Sequence, residues 1–123
     1  MKLQLTPGGA DAHFTGYGDG YVTVSGERYE RNIVVAPGRA VTTWDVAGFD
    51  ALAAADFESL LALGPEIVIL GAGDTLRFPH PKLTRALVEA HVGFEVMDTR
   101  AACRTYNILL SEGRKVVAAI LLR

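Results

Sequence analysis

A single cysteine is all the thiol chemistry in this chain of 123 residues, so no internal disulfide can form and nothing indicates an oxidising compartment. Long hydrophobic runs are missing as well. The most extended, such as Val116–Leu122, fall far below the ~20 residues that a spanning helix needs, so the chain is not expected to cross a membrane. No basic block is present either. Twelve lysines and arginines face 14 acids, for a net charge of −2. Nucleic-acid binding by counterion release needs a concentrated positive face, which excludes nucleic acid as an expected partner. The opening MKLQLTPGGADAHF lacks the apolar core and small-residue cleavage site of a secretory signal, and the Arg-rich, acid-poor pattern of a mitochondrial presequence. The expected location is the cytoplasm. His13, His80 and His91 are scattered, and with Cys103 they show no metal-ligand spacing, so no metal is expected.

What is present is ordinary globular composition: half the residues are hydrophobic and 21% are charged, which argues against disorder. The length suits one α/β domain, residues 1–123, burying roughly two thirds of the surface its unfolded form exposes. Residues 1–19 read as an arm with one short strand around Ala12–Tyr17, Gly16, Gly18 and Gly20 bracketing a turn. Tyr21–Ser25 alternates like a half-buried strand, and Gly26 breaks it. Arg31–Ala36 is a more apolar strand ended by the Pro37-Gly38 turn signal, and Val41–Trp44 is a third. From Asp56, expected as an N-cap, the period becomes helical through Phe57, Leu60 and Leu61 until Gly64-Pro65. Glu66–Leu70 is an unbroken apolar strand, buried on both faces as in a parallel sheet. Pro81 opens a helix whose Leu83, Leu87 and Val88 share a face, and Gly93 stops it. A strand Phe94–Met97, a helix of about Thr99–Ser111 closed by Gly113, and a strongly apolar strand Lys115–Leu122 complete the chain. The expectation is a three-layer α/β fold: a central mixed sheet, helices on both faces and an N-terminal antiparallel β extension.

The stretch Met97–Lys115, MDTRAACRTYNILLSEGRK, has residue types beyond what packing requires. Asp98 and Thr99 stand where strand gives way to helix, and either side chain can cap the free N–H groups of the first turn. Arg100, Arg104, Asn107 and Ser111 recur at helical spacing and make one polar stripe, opposite an apolar face of Ala102, Cys103, Tyr106, Leu109 and Leu110. The stripe begins at the C-terminal end of a strand, where open α/β sheets bind ligands. Two guanidiniums near a helix N-terminus suit a carboxylate or phosphate. Against this, Asp98 supplies a negative charge that can pair with an arginine, and the whole motif can serve structure instead.

Cys103 has no base at a linking spacing and reads as small, buried and inert rather than as a nucleophile. Gly71-Ala72-Gly73 after a buried strand fails the dinucleotide fingerprint, because Leu76 stands at the third glycine position and Phe78-Pro79-His80-Pro81 delays the next helix. No cofactor is expected. These glycines let the backbone pass close to Met97–Asp98 on a neighbouring strand. Trp44 and Phe78 are placed at the same end of the sheet, as core or as wall.

Met97-Asp98-Thr99, Ala102-Cys103-Arg104-Thr105-Tyr106-Asn107, Glu112-Gly113-Arg114 and Val116 together resemble the signature of a family of small single-domain proteins of unassigned activity. Its best-known member is the mitochondrial NADH:ubiquinone oxidoreductase (complex I) assembly factor 3. The resemblance spans nearly the whole chain, with Trp44, the glycine loop and Pro79 in register. It implies the three-layer fold with a mixed sheet, and no established catalytic residues or cofactor. The family loop is usually Gly-Thr-Gly, and Ala72 departs from it. The mitochondrial members carry a targeting extension, so this chain looks like a prokaryotic relative. The expected function is a non-enzymatic binding domain, an adaptor in assembly of a larger complex. Its contact surface would comprise Asp98, Thr99, Arg100, Arg104, Thr105, Asn107 and Arg114, and its partner would be a protein. The alternative is a small anionic metabolite bound, or slowly transformed, at the same patch.

Overall fold

A computed structural model describes residues 11–123; the first part of the predicted arm lies outside them. Strands β1 (Phe14–Gly18), β2 (Tyr21–Val24) and β3 (Glu27–Tyr29) form an antiparallel three-stranded sheet. Two-residue connections join them, Asp19-Gly20 and Ser25-Gly26. Ser25 and Gly26 both take positive φ (50° and 85°), the geometry that lets a tight hairpin follow the strand twist. Strand β3 is absent from the sequence reading, because Glu27-Arg28-Tyr29 offers a single apolar side chain. Its Tyr29 is buried all the same.

The second sheet has five strands: β4 (Ile33–Val35), β5 (Thr42–Thr43), β6 (Ile67–Ala72), β7 (Gly93–Met97) and β8 (Val116–Leu121). Their order is β5-β4-β8-β6-β7. The pairs β6–β7 and β6–β8 are parallel, and β4 lies antiparallel to β8 and to β5. Passing from β6 to β7 moves one place along the sheet, and passing from β7 to β8 moves back across β6. Right-handed crossovers then require the two connecting helices to lie on opposite faces. They do. Helix α3 (Thr99–Ser111) shares a core with Ile69, Ala118 and Ile120, beside Phe14, Val22 and Val24 of the small sheet. On the other face α1 (Ala54–Glu58) and α2 (Arg85–Glu89) bury Phe57 and Leu87 against Val68, Leu70, Ala119 and Leu121. Every residue of β8 is buried, which is why the last strand reads as unbroken apolar sequence.

The observed elements differ from the sequence reading where caps decide the ends. Asp56 is the third residue of α1, not its cap, and its carboxylate accepts from the Ala53 N–H at 2.8 Å. The helix gives way at once to a 3₁₀ turn, Ser59–Leu63, closed by Gly64 in the left-handed region. Helix α2 is stopped by His91 at φ 58°, and Gly93 instead begins β7. Val88 turns outward, away from Leu87. Trp44 is core, edge-on to Phe57, whereas Phe78 is exposed.

Candidate functional site

Helix α3 begins where β6 and β7 end, and its first turn is fixed from two sides. The Asp98 carboxylate accepts from the Ala101 N–H at 3.0 Å, so Asp98 is the cap. The Thr99 hydroxyl points inward instead: it accepts from the Gly73 N–H at 2.9 Å and donates to the Leu121 carbonyl. Thr99 also donates its own N–H to the Gly73 carbonyl. One buried side chain thus ties the ends of β6 and β8 to α3. The glycines make this approach possible. A Cβ on Gly71 would come within 2.9 Å of Ile120 and 3.1 Å of the Thr99 hydroxyl, and one on Gly73, at φ 99°, would meet the Arg123 backbone at 2.5 Å. Gly73 is therefore required both for its conformation and for the space.

Arg100, Arg104, Asn107 and Ser111 do share one face of α3, but not one role. The Asn107 amide reaches β1, accepting from the Phe14 N–H at 2.9 Å and donating to the Phe14 carbonyl at 2.7 Å. It satisfies both backbone groups of one residue, as a neighbouring strand would. Tyr106 adds a bond from its hydroxyl to the Ala12 carbonyl at 2.9 Å and an edge-on contact with Phe14. Ser111 bonds within its own turn, to the Ile108 carbonyl.

The two arginines remain exposed and meet Tyr17 of β1. Arg104 donates to the Tyr17 hydroxyl at 2.8 Å, and the Arg100 guanidinium lies 5.3 Å from the ring centroid. Arg100 also approaches the Asp19 carboxylate at 3.6 Å, an exposed pair worth about 0–1 kcal/mol. Between Tyr17, Tyr21, Asp74, Asp98 and Arg100 is an indentation of ≈ 30 Å³. Tyr17 and Asp19 were not among the expected site residues. A Gly-Tyr-Gly strand segment was the only local signal, and Tyr17 lies 87 positions from Arg104.

Thr105 is half-buried on α3. Arg114 lies apart from the others, past the far end of α3 and so roughly 20 Å of helix from Asp98. There it holds the Glu66 carboxylate at 2.7 Å, and this hydrogen bond draws the Glu66 carboxyl below its ordinary range. Cys103 is buried and burial pushes its thiol up to about 12, so it holds its proton at neutral pH. A protonated thiol is a poor nucleophile and a poor metal ligand.

Residues 14–121 match the family described as a protein of unknown function, DUF498/DUF598. The chain belongs to that family. Among its relatives, the NADH dehydrogenase (ubiquinone) 1 alpha subcomplex assembly factor 3 of Mus musculus is 33% identical over 101 residues, 80% of this chain and 54% of the mouse protein. The chain therefore spans about half the length of the mammalian assembly factors it matches. An uncharacterized protein of Rhodobacter capsulatus is 38% identical over 108 residues, 86% of this chain and 81% of that protein. A crystal structure of a Bordetella parapertussis protein superimposes with TM-score 0.88 at 39% identity, covering 93% of this chain and 98% of that one. The solution structure of a Bordetella pertussis protein described as an Mth938-like domain gives 0.82 at 34% identity, covering 98% and 92%. Among the described residues no helix is long and apolar enough to cross a membrane.

Proposed function

We propose that this chain is a non-enzymatic binding domain acting as an assembly factor for a larger protein complex in the cytoplasm, with Tyr17, Arg100 and Arg104 at the centre of its contact surface. The observation that carries this reading is the shape of the surface at the N-terminus of α3. Its indentation of ≈ 30 Å³ has room for a water or two, whereas pockets for small molecules occupy about 300–1,000 Å³. Anionic metabolites are therefore poorly served there. A half-buried tyrosine flanked by two exposed arginines has the residue types that dominate the energy of protein interfaces. The similarity to mammalian assembly factors supports the same reading.

Crosslinking in native cells followed by purification tests it. The wild-type protein should recover defined partner subunits, and Arg100→Glu with Arg104→Glu should reduce them at least about tenfold, the loss of one or two interface anchors. The doubly substituted protein should melt like wild type, since both side chains are exposed. Recovery of the protein alone at every salt and detergent condition would sink the proposal. A panel of anions that raised the melting temperature of the wild type but not of Arg104→Ala would favour the metabolite instead.

A further inference from the structure

The loop between β6 and α2 puts its apolar side chains in the wrong place for a packed protein. Leu76 and Phe78 are 53% and 69% exposed, two of four large hydrophobics so exposed among the described residues, and they are two positions apart. Arg77 between them points the other way. Its guanidinium donates to the Ala72 carbonyl at 2.6 Å and the Arg123 carbonyl at 2.9 Å, lies 4.7 Å from the Phe49 ring centroid, and has its Nε sealed from solvent. Arg77 is anchored inward while both its neighbours face solvent. The next residues are braced too. The Lys82 N–H donates to His80 Nδ1 at 3.1 Å, and the Thr84 hydroxyl donates to the Pro81 carbonyl at 3.3 Å. The loop is held in a shape that displays Leu76 and Phe78.

Charge identifies what they meet. With Arg77 turned inward, the exposed charges from Asp74 to Arg85 are one acid, Asp74, and two cations, Lys82 and Arg85, in a chain whose net charge is −2. Lys82 and Arg85 are exposed. We infer that this loop is a docking site for the surface of an anionic lipid bilayer, with Leu76 and Phe78 entering the interfacial layer and Lys82 and Arg85 meeting phosphate headgroups. Apolar side chains bordered by lysine and arginine are the composition that binds at such an interface, and two apolar anchors with a few cations give reversible attachment. A protein partner would require a broad complementary face, and this is a narrow loop exposed over most of its length. Leu76, Phe78, Lys82 and Arg85 do not line the α3 indentation, and the inference stands or falls independently of the assembly role.

Cosedimentation with vesicles tests it, using phosphatidylcholine alone and phosphatidylcholine mixed with phosphatidylglycerol. The full chain should bind the anionic vesicles at low salt and be released by salt. Leu76→Ser with Phe78→Ser should weaken binding at least about tenfold, the loss of two buried apolar side chains. Lys82→Glu with Arg85→Glu should abolish the preference for anionic lipid. As a readout independent of affinity, the Phe78→Trp variant should give a blue-shifted emission on adding anionic vesicles. Wild-type protein left in the supernatant, serine variants that bind like wild type, or an unshifted emission from vesicle-bound Phe78→Trp protein would each overturn the inference. So would binding equally strong to phosphatidylcholine alone.

Discussion

Asn107 and Arg104 stand three residues apart on one helix, and the structure gives them opposite consequences for mutation. Asn107→Ala strands the N–H and carbonyl of Phe14, both part-buried. Unsatisfied backbone groups of this kind cost about 1–3 kcal/mol each, so a loss of about 2 kcal/mol in denaturant unfolding is expected. Arg104→Ala removes an exposed contact with Tyr17 and should change stability by no more than ~0.5 kcal/mol. Equal losses for both would mean that the arginine, too, is part of the framework. Neither role could be read from the spacing, which makes Arg100, Arg104 and Asn107 equivalent members of a stripe. The distinction depends on β1, more than 80 residues earlier in the chain. Asp98 and Thr99 present the same limit: the sequence offers two candidate caps, and only the position of Gly73 and Leu121 makes Thr99 an internal tie. Cys103 is the reverse case, legible because its neighbours Ala102 and Tyr106 already mark the buried side of the helix. Its thiol should resist Ellman's reagent at neutral pH until denaturant is added, and rapid labelling of the native protein would contradict its burial.

Elements were legible where one signal sufficed. Helix α3 is bounded by Asp98 and Gly113, an N-cap acid and a left-handed glycine at φ 78°, and its limits follow from those two residues. Strands β6 and β8 announce themselves because both faces are covered. Strands β4 and β5 lie within the expected Arg31–Ala36 and Val41–Trp44 but run only three and two residues, whereas β3, three residues with one apolar side chain, is too short for a period of two to declare itself. Helix α2 is blurred by the same economy: a 3₁₀ turn, Pro81–Thr84, carries half of it. The small sheet depends on its docking to α3 more than on its own pairing, because an isolated meander of such short strands is marginal. Hydrogen exchange should show this. In Asn107→Ala the amides of Phe14–Gly18 should lose protection while those of β6 and β8 keep theirs, as expected of a locally opening unit. Uniform loss across both sheets would mean that the small sheet and the main sheet open as one.

At the scale of the whole molecule, the two faces of the central sheet carry different chemistry, and pH separates them. The α1/α2 face is aromatic and aliphatic, with Trp44, Phe57 and Phe94 stacked edge-on. Beside Tyr29, whose phenol burial also raises, the α3 face contains two more deeply buried groups that ionise, Cys103 and Tyr106. Burial raises both, the thiol from 9 to about 12 and the phenol well above its usual 10. The unfolded chain releases these protons first, so over this range it binds fewer protons than the folded one. Stability is then complete below about pH 9 and declines as pH rises toward 12, each group contributing at most about 1.4 kcal/mol per pH unit. Cys103→Ala lowers stability at neutral pH by leaving a small cavity, but it should flatten the alkaline decline, and Tyr106→Phe should flatten it further at the upper end. Denaturant midpoints measured from neutrality to about pH 11, the range in which such shifted groups separate from their unfolded values, would show whether the slope moves with each substitution. An unchanged slope in Cys103→Ala would require the thiol to be reachable by water in the folded state. The α3 face would then be a layer that opens readily over the central sheet, and the surface assigned to a partner would have to be sought underneath it.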